Sequence, residues 1–264
     1  MKTKRFLFLF LVLLCILSGT FRPEAKAEFL GDFPTGLLQL EKKAPYYLFV
    51  PAEYSPDKGW PLVMIFGERG QDPRKLINGW VDWAKQNQIL VLVLPNFFPE
   101  TGVPYIFDQW VFEVKLEIGM RYRIDPNKIL LVGFGSGAHY SSYLALKYPD
   151  EFTAAALIRK AWAGPLEKLA KPVSDSKQQP SFYLALDPKG EEFSSLEKKA
   201  LELEKKGYEI ALDRLKSGED FAKLRDRMLQ WFRYQSETRA LAKEGAARGW
   251  TGAVGRHVRK FFEV

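Results

Sequence analysis

Lys128-Ile-Leu-Leu-Val-Gly-Phe-Gly-Ser-Gly-Ala138 is the stretch on which the reading of this chain turns. Apolar residues from Ile129 to Val132 lead into a turn of small residues and then a helical pattern, the strand-turn-helix setting of a Gly-x-Ser-x-Gly motif. In that register Gly133 and Gly137 are the flanking glycines, and Gly135 stands where the motif presents its serine. Ser136 falls one place late: taking it as the nucleophile puts the bulky Phe134 where the turn needs a small residue. A sharp turn is therefore expected here without the side chain that would give it chemistry.

The chain has 264 residues, of which 47% are hydrophobic and 27% charged, enough to bury one full core. Residues 1–27 read as a secretory signal: Lys2, Lys4 and Arg5 precede the apolar run from Phe6 to Leu17, and Ala25-Lys26-Ala27 offers a cleavage site. That run is shorter than the roughly 20 residues a membrane span needs, which argues against a retained anchor. The expectation is an exported protein, secreted or periplasmic. Its only cysteine, Cys15, lies inside the signal behind Leu14, not the small residue a lipidation signal prefers. Once processed, the chain has no thiol for disulfides, nucleophilic catalysis or metal ligation, so its stability must come from packing.

The formal net charge of +7 is unevenly placed. Residues 1–27 carry five basic groups against Glu24, and residues 237–264 carry six basic against three acidic, which leaves the body between them neutral. A neutral body in an exported chain argues against a nucleic-acid partner. The organisation expected is a signal at 1–27, one domain at 28–236 and a basic tail at 237–264.

Strand patterns fall at Tyr46 to Pro51, Pro61 to Gly67, Ile89 to Pro95, Ile129 to Phe134, Thr153 to Ile158, Ser181 to Leu186 and Tyr208 to Leu212. Helical patterns lie between or after them, at about 72–87, 108–122, 137–148, 191–206 and 219–235. Tyr54-Ser-Pro-Asp-Lys-Gly59 and Ile124-Asp-Pro-Asn127 carry turn chemistry. Alternation of this kind predicts an α/β fold: a doubly wound, mostly parallel sheet with helices on both faces.

Tyr46-Tyr-Leu-Phe-Val-Pro51, Pro61-Leu-Val-Met-Ile-Phe-Gly67, Ile124-Asp-Pro-Asn-Lys-Ile129 and Ala145-Leu-Lys-Tyr-Pro-Asp-Glu-Phe152, set around the turn, resemble the α/β-hydrolase superfamily over about residues 40–235. Within it the chain is similar to secreted esterases of the poly(3-hydroxybutyrate) depolymerase and feruloyl esterase type, and to carboxylesterase/phospholipase proteins. The resemblance implies a nucleophile, an acid after a later strand and a histidine after the last strand, meeting at the carboxyl end of the sheet. On these positions Gly135 replaces the nucleophile, Asp187 matches the acid, and Glu219 stands in the histidine's place. A plain turn-forming aspartate before Pro188 fits Asp187 equally well. The resemblance also implies oxyanion-hole donors at the backbone N–H groups of Glu68 and Ser136, which survive side-chain substitution. A degenerate triad of this kind implies an esterase-like protein without esterase activity, with an active serine hydrolase using Ser136 as the alternative.

Other chemistries find less support. The two histidines, His139 on the helix after the turn and His257 in the tail, both lie away from the expected base position. Gly133-x-Gly135-x-x-Ala138 also fits a dinucleotide fingerprint, but three strands precede it and the next one runs into Arg159 and Lys160, not an acid. Glu68, Asp187 and Glu219 would have to pair at suitable separation for glycoside hydrolysis, and no histidine joins them for a metal. Neither a cofactor nor a metal is expected.

Binding then leads. Phe97, Phe98 and Tyr105 follow a strand's carboxyl end and, with Trp162, are candidates to line a cleft for a small-molecule ester or sugar-like ligand. The basic tail, ending Val258-Arg-Lys-Phe-Phe262, is a candidate for docking on an anionic envelope surface or a protein partner, against the plainer reading of a frayed extension.

Overall fold

The computed structural model describes residues 37–41, 45–95, 105–162, 170–172, 179–216 and 220–247. Eight strands form one sheet: β1 (Leu37–Glu41), β2 (Pro45–Phe49), β3 (Trp60–Phe66), β4 (Leu90–Leu94), β5 (Ile124–Phe134), β6 (Ala154–Ile158), β7 (Ser181–Leu186) and β8 (Ile210–Arg214), in the order β1-β2-β4-β3-β5-β6-β7-β8. β2 is antiparallel to both its neighbours, and the six strands from β4 to β8 across the sheet run parallel. Six helices are described: α1 (Pro73–Asn78), α2 (Val81–Asn87), α3 (Tyr105–Arg121), α4 (Ser136–Lys147), α5 (Phe193–Lys205) and α6 (Phe221–Ala247).

The strands read as unbroken apolar runs because both faces of the sheet are covered. Successive side chains leave the pleat on opposite sides, so Leu62, Met64, Phe66, Leu90, Leu92 and Leu94 join a core with residues of α3, α4 and α5. Val63, Ile65, Val91, Val93, Leu130 and Val132 face the other way, into a core with residues of α1, α2 and α6.

Several boundaries depart from the sequence expectation. The helix expected over 72–87 is two: Asp72 caps α1 by accepting the Arg74 N–H at 2.9 Å, Gly79 ends it, and the chain restarts at Val81. Gly79 has the least helical preference of any non-proline residue, and the Trp80 side chain is buried just beyond it. β1 was not anticipated because Leu37-Leu-Gln-Leu-Glu41 is built of good helix formers and lacks a β-branched residue. Asp125-Pro-Asn127 belongs to β5 yet still turns: Asp125 Oδ1 accepts the Asn127 N–H at 2.9 Å, and the pairing with β3 shifts register there.

Helix α6 continues to Ala247, so the expected tail boundary at 236 falls inside it. Two side chains beyond 236 tie this extension to the body. The Arg239 guanidinium donates to the carbonyls of Phe152 (2.6 Å) and Pro149 (3.0 Å), and Lys243 Nζ donates to Asn127 Oδ1 (2.6 Å). Arg239 thus satisfies carbonyls in the loop that follows α4, where no helical partner remains. Its partial burial holds its pKa below the usual arginine range.

A polar network stabilises each face. On one, the buried Asp108 of α3 accepts from the phenols of Tyr140 (2.7 Å), Tyr143 (2.6 Å) and Tyr148 (2.9 Å) and from Lys147 Nζ (3.0 Å), fastening α3 to α4. Burial, with the Asp108 carboxylate close by, pushes the Tyr140 phenol well above its usual range and keeps it a donor. On the other, Asp213 of β8 accepts from Tyr183 of β7 and from Arg227 Nε of α6 at 2.8 Å.

Removing a buried, paired carboxylate strands all its donors, at a cost of about 3–5 kcal/mol. Asp108→Ala is therefore expected to lower the urea midpoint of unfolding substantially and Asp108→Asn to lower it less. An unchanged midpoint in Asp108→Ala would show that the network does not hold α3 to α4.

Candidate functional site

At the carboxyl end of β5 the chain turns through Gly135 with φ 51° and ψ −118°, and α4 starts at Ser136. Both flanking glycines are dictated by contact. A Cβ on Gly137 would lie 2.1 Å from the Phe66 carbonyl oxygen, and one on Gly133 would lie 2.3 Å from Ala138 Cα. Helix α4 therefore sits against the ends of β3 and β5 at a distance no other residue permits. The turn is fixed by Gly135 N–H donating to Ile158 O (3.2 Å) and Ala138 N–H donating to Gly135 O (3.0 Å). Its apex is Gly135, in a left-handed conformation that residues with a side chain rarely adopt.

Ser136 lies beyond the apex, in the first turn of α4. Its residue is 7% exposed, and its hydroxyl accepts the Arg69 backbone N–H at 2.9 Å, tying the loop after β3 to the helix. The space above the apex belongs to Glu68. A Cβ on Gly135 would come within 2.4 Å of Glu68 Oε1 and 2.8 Å of its Cδ, so the carboxylate stands where a nucleophile's side chain would emerge. The Glu68 backbone N–H, expected as an oxyanion donor, donates instead to Gln71 Oε1 at 3.0 Å. Two consecutive amides of this loop are thus occupied by side chains of the protein itself.

Asp187 follows β7, as expected for the acid. Its side chain is exposed and closes its own turn, Oδ1 accepting the Lys189 N–H at 2.9 Å, which matches the turn-forming reading. Glu219, Phe97, Phe98 and His257 lie outside the described residues, and of Tyr105 only the backbone, at the start of α3, is described. His139 is half-buried on α4. Among the described residues no group of three or more His, Cys, Asp or Glu side chains is placed to hold a metal, and no helix is long and apolar enough to cross a membrane.

Trp162, a candidate to line a cleft, lies directly before residues outside the described set. It is 8% exposed and packs edge-on against Phe182 at 5.5 Å, within the core that faces α5. The structure opens a cleft of about 980 Å³ at the carboxyl ends of β5 to β8, between α1 and α6, with Asp187 on its wall. Three aromatic rings meet there: Trp80 and Phe134 at 6.4 Å, Trp80 and Phe221 at 5.7 Å, Phe134 and Phe221 at 5.6 Å. Arg225 lies over Trp80 and Phe221, at 5.5 and 5.1 Å from their ring centres. Sequence reasoning missed all three aromatics. Phe134 was read only as an obstruction, although its place one residue before the apex was a signal that it borders the site.

No family model matches this sequence, and no curated protein matches it. Solved structures do. The S-formylglutathione hydrolase of Staphylococcus aureus is 11% identical, with 76% of this chain and 98% of that one covered at a TM-score of 0.58. The BES protein of Bacillus cereus is 13% identical over 77% of this chain and 96% of that one, at 0.58. An α/β hydrolase enzyme from a Medee basin deep-sea metagenome library is 18% identical over 76% and 98%, at 0.57. With the strand order and the turn after β5, these likenesses establish that the chain has the α/β-hydrolase fold.

Proposed function

We propose that this is an exported esterase-like protein that has lost ester hydrolysis and acts by binding a ligand in the cleft beside Gly135. One observation carries the reading: the apex of the turn has no side chain, and the Glu68 carboxylate occupies the space a nucleophile would need. Loss of a serine or histidine from a hydrolase triad costs about 10⁶ in turnover, roughly 8 kcal/mol of barrier, and leaves only the oxyanion hole and binding. The engagement of the Glu68 N–H by Gln71 weakens that remnant as well. The cations and the aromatic floor that line the cleft support a binding role. Export rests on residues 1–27, and docking on an envelope surface or partner on the basic segment at 237–264.

The competing reading, a working carboxylic-ester hydrolase with Ser136 as nucleophile, draws on structural neighbours described as hydrolases. A fluorophosphonate probe and short-chain nitrophenyl esters separate the two. Residues 28–264 are expected to show labelling and turnover no higher than a heat-denatured control, whereas specific labelling at Ser136 would overturn the proposal.

Gly135→Ser restores a hydroxyl but places an L-residue in a left-handed conformation that costs on the order of 1–3 kcal/mol, and it forces Glu68 aside. At roughly 2–4 °C per kcal/mol for a domain of this size, the melting temperature is expected to fall by several degrees with no gain in ester turnover. Adding Glu68→Ala should recover part of that fall. A rise in melting temperature on Gly135→Ser alone would show that residue 135 is not the strained apex.

A further inference from the structure

The cleft next to the turn combines an apolar floor with a rim on which cations outnumber carboxylates among the described residues. Trp80, Phe134, Ile158, Leu215, Phe221 and Leu224 make the floor. Around it stand Lys75 from α1, Arg159 after β6, Lys189 after β7 and Lys216 after β8, against one carboxylate, Asp187, among the described residues that line it. Four separate segments thus deliver cations to one opening in a body whose net charge in sequence, these four included, is zero. Such convergence over low-dielectric walls concentrates the positive potential inside the cleft.

Arg159 adds an independent sign. Its backbone has φ 68°, a left-handed conformation that favours glycine or asparagine, and it is held there by its N–H donating to Ala185 O at 2.8 Å. A long cationic side chain in so restricted a backbone position, on the wall of the cleft, is the kind of local cost that function retains.

We propose that the cleft binds an amphipathic organic anion, its charged head among Lys75, Arg159, Lys189 and Lys216 and its apolar body on the ring cluster of Trp80, Phe134 and Phe221. The volume of about 980 Å³ lies within the range of small-molecule sites. This assignment rests on the reading that the cleft binds a ligand, and it names the class of that ligand.

Two probes share one apolar body and differ in charge: 8-anilinonaphthalene-1-sulfonate and the neutral N-phenyl-1-naphthylamine. Titration of residues 28–264, followed by fluorescence, is expected to show the sulfonate binding about tenfold tighter or more, the equivalent of two modest charge contacts. The double variant Lys75→Gln/Arg159→Gln, at exposed positions and with its melting temperature checked, should lose that advantage while keeping its affinity for the neutral amine. Equal binding of both probes, or a double variant that binds the sulfonate as well as the parent, would overturn the anion assignment and leave ligand binding standing. Binding of neither would overturn the cleft as a ligand site, while the labelling experiment decides hydrolysis separately.

Discussion

The structure depends on how closely α4 can approach the sheet. Its first turn touches the end of β3 through Gly137, which lies against the Phe66 carbonyl, and the end of β5 through Gly133, which lies against Ala138. Between the two glycines the chain turns sharply through Gly135 at positive φ. The same approach seats α4 in the core, where Tyr140 meets Phe66 edge-on at 5.2 Å and reaches Asp108 with its hydroxyl. The network around Asp108 then secures the far side of the helix to α3, so the turn is held from both ends.

In a nucleophile elbow this strand-turn-helix geometry lifts a reactive side chain clear of the sheet. Here the residue at the apex is Gly135, and the Glu68 carboxylate from the neighbouring loop lies above it. Glu68, Gln71 and Ser136 together fill that loop with internal contacts, the carboxylate over Gly135, the amide on the Glu68 N–H and the hydroxyl on the Arg69 N–H. On the other side of Phe134, strand ends β5 to β8 and helices α1 and α6 leave the aromatic, cation-rimmed cleft. In an open α/β sheet the carboxyl ends of the strands are where ligands bind, so a binding role needs no departure from the fold's own geometry.

Much of this was legible in the sequence. The parallel strands are buried on both faces and so announce themselves as apolar runs, and the spacing of Gly133, Gly135 and Gly137 marks the apex. What escaped were features decided by tertiary contact. β1 is made of helix-forming residues and is a strand only because β2 offers it an edge. The extension of α6 to Ala247 depends on Arg239 finding the carbonyls of Phe152 and Pro149, partners far away in sequence. Phe134 borders the cleft and Trp162 packs on Phe182 for a similar reason: composition marks an aromatic, but only the pleat and the packing decide what it faces. Nor does anything in the sequence tell that Gln71 folds back onto the Glu68 N–H.

The central claim is that residue 135, with no side chain, forms the apex. A crystal structure of residues 28–264 tests it most directly. The account predicts Gly135 at positive φ beneath the Glu68 carboxylate, with the Ser136 hydroxyl accepting the Arg69 N–H. Density placing the Ser136 hydroxyl at the apex, hydrogen-bonded to an imidazole, would contradict it.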